Sequence, residues 1–308
     1  FAGLDTLPVD DSPPQEFQHY VFDKIRTFEE KISVFSQYPF SRTLRIEGGA
    51  SFAFYNNRVD RYDQYYDDFG RLIYQDREKV EPEEVGLGNL FEGSLGAVDL
   101  AFVGDNSYFG LASPVKGHRF RIGAERYFGD FNLYNLTLDG RKYFFAKPFT
   151  FAMRAMHYGR YGPDANSFYN IFLGYPWYLR GYQYDAATEI LQQNGRDIDE
   201  LFGSKIGLAN FEIRLPFTGP EQLAVIKSKF LFTELSVFTD GGLAWDYFGT
   251  PDPKDGGDLR QFDFNPLFSA GVSLRVNLFG ALILEPYYAW PLLKETKGVF
   301  GLNIVPGW

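Results

Sequence analysis

From about residue 94 onward, apolar and polar side chains alternate with a period of two. In Ala209-Asn210-Phe211-Glu212-Ile213-Arg214-Leu215, the apolar residues share one face and Asn210, Glu212 and Arg214 share the other. Successive side chains of a β-strand point to opposite faces, so this segment reads as a strand with one greasy and one charged side. The pattern recurs. Val272, Leu274, Val276 and Leu278 oppose Ser273, Arg275 and Asn277. Leu282, Leu284 and Tyr288 oppose Ile283, Glu285 and Tyr287. Phe300, Leu302 and Ile304 oppose Gly301 and Asn303, and Phe120 and Ile122 oppose Arg119 and Arg121. Earlier in the chain, Leu44, Ile46, Ala50, Phe52 and Phe54 oppose Arg45, Glu47 and Ser51. About eleven strands follow, near 26–38, 41–57, 94–105, 117–128, 132–145, 149–161, 204–217, 229–246, 266–278, 281–291 and 297–308.

Alternation alone leaves two readings open: a soluble sandwich with the greasy face inward, or a membrane barrel with lipid outside and a polar lumen inside. The connections separate them. Short turns lie at 38–41, 146–149 and 277–280, whereas long polar connections lie near 58–93, 162–203 and 247–265. The turns near 129–131 and 291–297 are exceptions on the long-loop side. Short turns at one end and long loops at the other are the habit of transmembrane barrels. The predicted fold class is therefore all-β, an antiparallel transmembrane β-barrel with 11–12 strands visible. Residues 1–25, with Pro8, Pro13 and Pro14, are expected to form an irregular segment or loop, and 26–308 the barrel. Such barrels normally have an even strand number, so an odd count points to missing strands or to one hidden in 1–25 or 166–174.

Composition fits this reading. Aromatic residues make up 19% of the 308 residues, with 33 Phe and 21 Tyr, as interfacial girdles require. No apolar run is long enough for a membrane helix, which says nothing against strands. The absence of cysteine excludes a disulfide scaffold and a Cys-based metal site. A net charge of −10 argues against nucleic-acid partners. Asp60, Asp63, Asp67 and Asp68 lack the spacing and glycine of a calcium loop, so they read as solvated loop residues. His19, His118 and His157 have no nucleophile elbow around them, and neither a cofactor nor an enzymatic role is expected. The chain starts at Phe1, not Met, which points to a removed targeting segment or to a piece of a longer protein.

Two motifs sharpen the reading. Leu179-Arg180-Gly181-Tyr182 sits in the long connection 162–203, and Phe238-Thr239-Asp240-Gly241-Gly242 lies in an alternating strand. There Phe238, Asp240 and Gly242 share the polar face, so Asp240 is expected to point into the lumen. A buried arginine there needs such a partner. With Gly271-Val272-Ser273-Leu274-Arg275, the signature Asp105-Asn106…Phe109-Gly110…Gly117-His118-Arg119 and the terminal aromatic Trp308, these motifs resemble the BamA-type superfamily of outer-membrane barrels over about residues 26–308. The resemblance implies insertion or translocation of proteins at the bacterial outer membrane. It also implies an inward-folded loop pinned by Arg180 and Asp240, and partners that are outer-membrane lipid and client proteins. The family barrel has about sixteen strands, so the chain reads as the later part of one. Its N-terminal module, POTRA repeats or in some members a TolB-like propeller, has no counterpart here. A non-catalytic scaffold within a larger complex and a passive porin are the alternatives.

Overall fold

The computed structural model describes residues 2–6, 16–86, 92–167, 170–247, 261–294 and 296–306. In chain order the strands are β1 (Ala2–Thr6), β2 (Glu16–Pro39), β3 (Leu44–Tyr66), β4 (Leu72–Val80), β5 (Gly93–Asp105), β6 (Tyr108–Phe109), β7 (Pro114–Gly129), β8 (Leu133–Ala146) and β9 (Phe149–Tyr161). Then follow β10 (Ile171–Phe172), helix α1 (Tyr184–Gln193), β11 (Phe202–Gly203), β12 (Lys205–Gly219), β13 (Ile226–Lys227), β14 (Phe232–Trp245), β15 (Leu267–Leu278), β16 (Leu282–Pro291) and β17 (Val299–Pro306). Trp308 and most of the connection 247–265 lie outside the described residues. The chain divides into two compact units. One comprises Phe1–Val34, Ala50–Ala97 and Phe128–Asp130, and the other comprises Phe35–Gly49, Val98–Tyr127 and Phe131–Trp308.

The first unit corrects two sequence expectations. Within 1–25, Ala2–Thr6 and the residues from Glu16 onward are strands: β1 pairs antiparallel with β2 from Ala2↔Tyr20 to Thr6↔Glu16. Within 58–93, the residues up to Val80 form a hairpin. β3 continues to Tyr66 and pairs with β4 from Val59↔Val80 to Tyr66↔Leu72. The Asp67 carboxylate closes their turn, accepting from the Phe69 and Arg71 amides at 2.9 and 2.8 Å. Over Asp60–Tyr66 and Tyr74–Lys79 the β3–β4 hairpin is polar or aromatic on both faces, so it lacks the contrast that alternation reads. Cross-strand side-chain pairs also join β2 to β3. His19 stacks on Tyr65 with ring centroids 4.3 Å apart, and Phe22 stacks on Tyr62 at 5.0 Å. Asp60 is not a solvated loop acid: it is fully buried and takes the guanidiniums of Arg26, Arg58 and Arg77.

In the second unit the strand order is β2-β3-β5-β7-β8-β9-β12-β14-β15-β16-β17, with antiparallel registers from β7 through β17. Its burial is inside-out. Glu212, Arg214, Glu234, Ser236, Asp240, Ser273 and Glu285 are buried, while Val237 is 54% exposed, Val272 47% and Leu302 50%. Charged side chains in soluble proteins are almost never fully buried unless paired, and contiguous greasy faces are turned inward. Here the sheet curls its charged face inward and presents Val, Leu, Phe and Tyr outward. From β7 to β17, neighbouring strands satisfy one another's backbone polar groups, the condition that lipid imposes. This is the architecture of a transmembrane antiparallel β-barrel.

Two outcomes follow. Val272→Arg, near the middle of β15 on the outward face, is expected to lower folding stability in lipid by roughly 2–4 kcal/mol, measured by denaturant titration in vesicles. Asp60→Asn leaves three guanidiniums short of a carboxylate and is expected to speed amide hydrogen exchange along β3 and β4, with β14 and β15 unchanged.

Candidate functional site

The connection 162–203 forms a structured element rather than a polar loop. Within α1, Ala187, Ile190 and Leu191 are spaced to lie on one face, and all three are buried. A ten-residue helix is marginal alone, so packing holds it. Leu173, Leu179, Tyr182, Ala187, Leu191 and Leu201 form one core cluster with Ile206 and Leu208 of β12, Ala244 of β14 and Leu267 of β15. Burying each leucine contributes about 1.5–3 kcal/mol. Gln183 precedes the helix, and its side-chain amide donates to the Tyr287 hydroxyl at 2.7 Å. Burial raises the Tyr182 phenol above its ordinary value, which keeps it a donor, and it donates to the Phe268 carbonyl at 2.9 Å.

That packing sets Arg180 against the inner face of the strands. Its guanidinium holds Asp240 in a two-pronged contact, Nε to Oδ2 at 2.7 Å and Nη2 to Oδ1 at 2.8 Å. It also reaches Glu212 at 2.8 Å and Glu285 at 3.3 Å. Phe238 lies beneath, with the guanidinium carbon 3.5 Å from the ring centroid, a cation–π contact on top of the ion pairs. Burial favours the neutral guanidine, but the carboxylates of Glu212 and Asp240 outweigh it and raise the Arg180 pKa further. Asn210 ties the two segments together, donating to Asp240 and to the Tyr178 carbonyl, each at 2.9 Å.

The glycines on either side are needed where they stand. Gly181 has φ +90, and a Cβ there would come within 3.0 Å of the Ala289 methyl; its backbone and its closeness to β16 both exclude larger residues. A Cβ at Gly242 would meet the Leu173 methyls at 3.1 Å, so the wall stays smooth where the loop seats.

The cluster is larger than the two motifs. Arg275 contacts Glu212, Glu234 and Glu285 at 2.9, 3.2 and 2.9 Å. Arg214 contacts Glu212 at 2.7 Å and donates to the Ser113 hydroxyl at 3.0 Å. Ser113 in turn donates to Glu234 at 2.7 Å. Three guanidiniums thus face four buried carboxylates across β12, β14, β15 and β16. Arg214, Arg275 and Glu285 are legible as inner-face residues from alternation. Glu234 and Ser113 are not singled out by any sequence signal, because neither stands in a motif. Beside the cluster lies a cavity of about 450 Å³, bordered also by Arg119, Arg141 and Arg154 of the neighbouring strands β7, β8 and β9. Among the described residues no group of His, Cys, Asp or Glu is arranged to hold a metal.

Fold and site together define a transmembrane β-barrel with a charged interior. No protein-family profile matches the sequence, and no curated protein matches it. The solved structures similar to it include two outer-membrane proteins. One is BamA from Haemophilus ducreyi lacking POTRA domains 1-3, at 14% identity and TM-score 0.48, covering 99% of this chain and 64% of that one. The other is CdiB from Acinetobacter baumannii, at 14% identity and TM-score 0.41, covering 94% of this chain and 50% of that one. The chain thus spans less than two thirds of the length of either.

Asp240→Ala strips the main counter-charge from a buried guanidinium. Breaking a buried pair costs about 3–5 kcal/mol, so the variant is expected to lose heat-resistant compact mobility on gels at a lower temperature. The double variant Asp240→Ala/Arg180→Met is expected to recover much of that loss, since no uncompensated charge remains.

Proposed function

We propose that this chain is the later, membrane-embedded part of an outer-membrane barrel that assists insertion or translocation of other proteins. The loop carrying Arg180 would be pinned on the inner wall by Asp240. The observation that supports this reading is the seating of the Leu179–Tyr182 tip on Phe238, Asp240 and Gly242, the two segments whose sequences resemble the BamA-type superfamily. In physical terms the pinned loop braces one side of the wall. A strand edge elsewhere in the barrel is then free to pair with an incoming strand by main-chain hydrogen bonds. The role needs positioning and edge exposure rather than a bond-making group. Its partners are outer-membrane lipid and client outer-membrane proteins.

The test is replacement of the full-length gene by Arg180→Ala or Asp240→Ala in the native host. Outer-membrane levels of the variant itself and of other heat-modifiable barrels are measured together. The expected result is normal insertion of the variant with a severalfold fall in client barrels, and copurification of clients with the wild type. Unchanged client levels, together with open-pore conductance of the purified protein in planar bilayers, would overturn the reading in favour of a porin. A fixed set of partners with no effect on clients would favour a scaffold.

A further inference from the structure

The outward face of the wall is not uniformly filled. One row across the strands runs Phe120, Gly140, Ala155, Ala209, Gly241, Phe268, each residue paired in register with the next. Four consecutive small residues leave a trough of about 770 Å³ between the flanking rings, bounded almost wholly by apolar surface. A methyl group built at Gly140 would find no atom nearer than 4.0 Å, so the floor is open there. At the other end the Phe268 ring lies over Gly241 and closes the trough.

The neighbouring row, nearer the short turn at 146–149, sets Lys142 opposite both His118 and Met153. Lys142 is two residues from Gly140 and therefore on the same outward face. It is exposed, its ammonium lies 5.3 Å from the Phe144 ring centroid, and among the described residues no carboxylate pairs with it. A lysine facing lipid is costly unless its flexible stem brings the charge to water or to an anion. An apolar channel with an uncompensated cation at its short-turn end is complementary to a molecule with the same polarity, a hydrocarbon chain ending in an anion.

We propose that this trough is a binding site for an anionic phospholipid, one acyl chain lying along Gly140, Ala155 and Ala209 and the phosphate resting on Lys142 beside His118. The inference rests on the outward-apolar wall and not on the role in protein assembly. The phospholipid belongs to the leaflet at the short-turn end. Held there, it covers the thin-walled part of the sheet and neutralises the lysine.

The full-length protein in mild detergent is titrated with phosphatidylglycerol carrying a photoactivatable acyl chain. Binding is read by native mass spectrometry and the cross-linked peptides are mapped. Cross-links are expected at Met153 and Phe211, the large residues bordering the small ones. Lys142→Gln is expected to weaken binding about fivefold, the factor one lysine contributes at an anionic membrane surface. Ala155→Phe fills the trough and is expected to abolish the specific adduct. Zwitterionic phosphatidylcholine should bind the wild type no better than phosphatidylglycerol binds Lys142→Gln. Cross-links spread evenly around the wall, or equal binding by wild type and both variants, would overturn the site. If Ala155→Phe fails to insert, the wild-type cross-link map and the Lys142→Gln titration decide.

Discussion

The burial of the Arg180 charge is the constraint on which the rest of this structure depends. A guanidinium removed from water is tolerated only with close carboxylates and satisfied donors. Asp240, Glu212 and Glu285 supply them from three different strands. Because those strands must stand in one register for the carboxylates to converge, the ion cluster and the sheet pairing specify each other. A one-residue slip of β14 would turn Asp240 outward and Val237 inward. The cluster therefore fixes register as well as the seat of the loop.

The same logic explains the division of labour between the two faces of the wall. Inside, polar groups are satisfied by each other: Ser236 and Ser273 share a hydrogen bond of 2.7 Å, and Ser273 donates to Glu285 at 2.9 Å. Outside, the residues are mostly those that lipid accepts, such as Val237, Val272 and Leu302. Above the charged interior, the apolar face of α1 and the Leu179 and Tyr182 side chains cover the ends of β12, β14 and β15. The loop is thus held by two independent means, a hydrophobic cap and an ion cluster, which makes it part of the folded wall rather than a mobile lid.

Period-two alternation located most of the membrane-type strands to within a few residues, because one face is apolar and the other charged. It missed β1, β4, the beginning of β2 and the far end of β3; in the β3–β4 hairpin Tyr, Asp and Arg occupy both faces and local contrast vanishes. The sequence also marked Arg180 and Asp240 as a pair worth testing, through two short motifs about sixty residues apart.

Local pattern determined strand identity, the sense of each face and the candidate pair, since these depend only on neighbours along the chain. Tertiary structure alone decided that Glu212, Glu234, Arg214, Arg275 and Glu285 share one cluster, that Ser113 reaches into it, and that Asp60 gathers three arginines. Most of those contacts join positions separated by 17 to more than 100 residues. Strand register and sheet curvature bring them together, and neither is written in the spacing of any one segment.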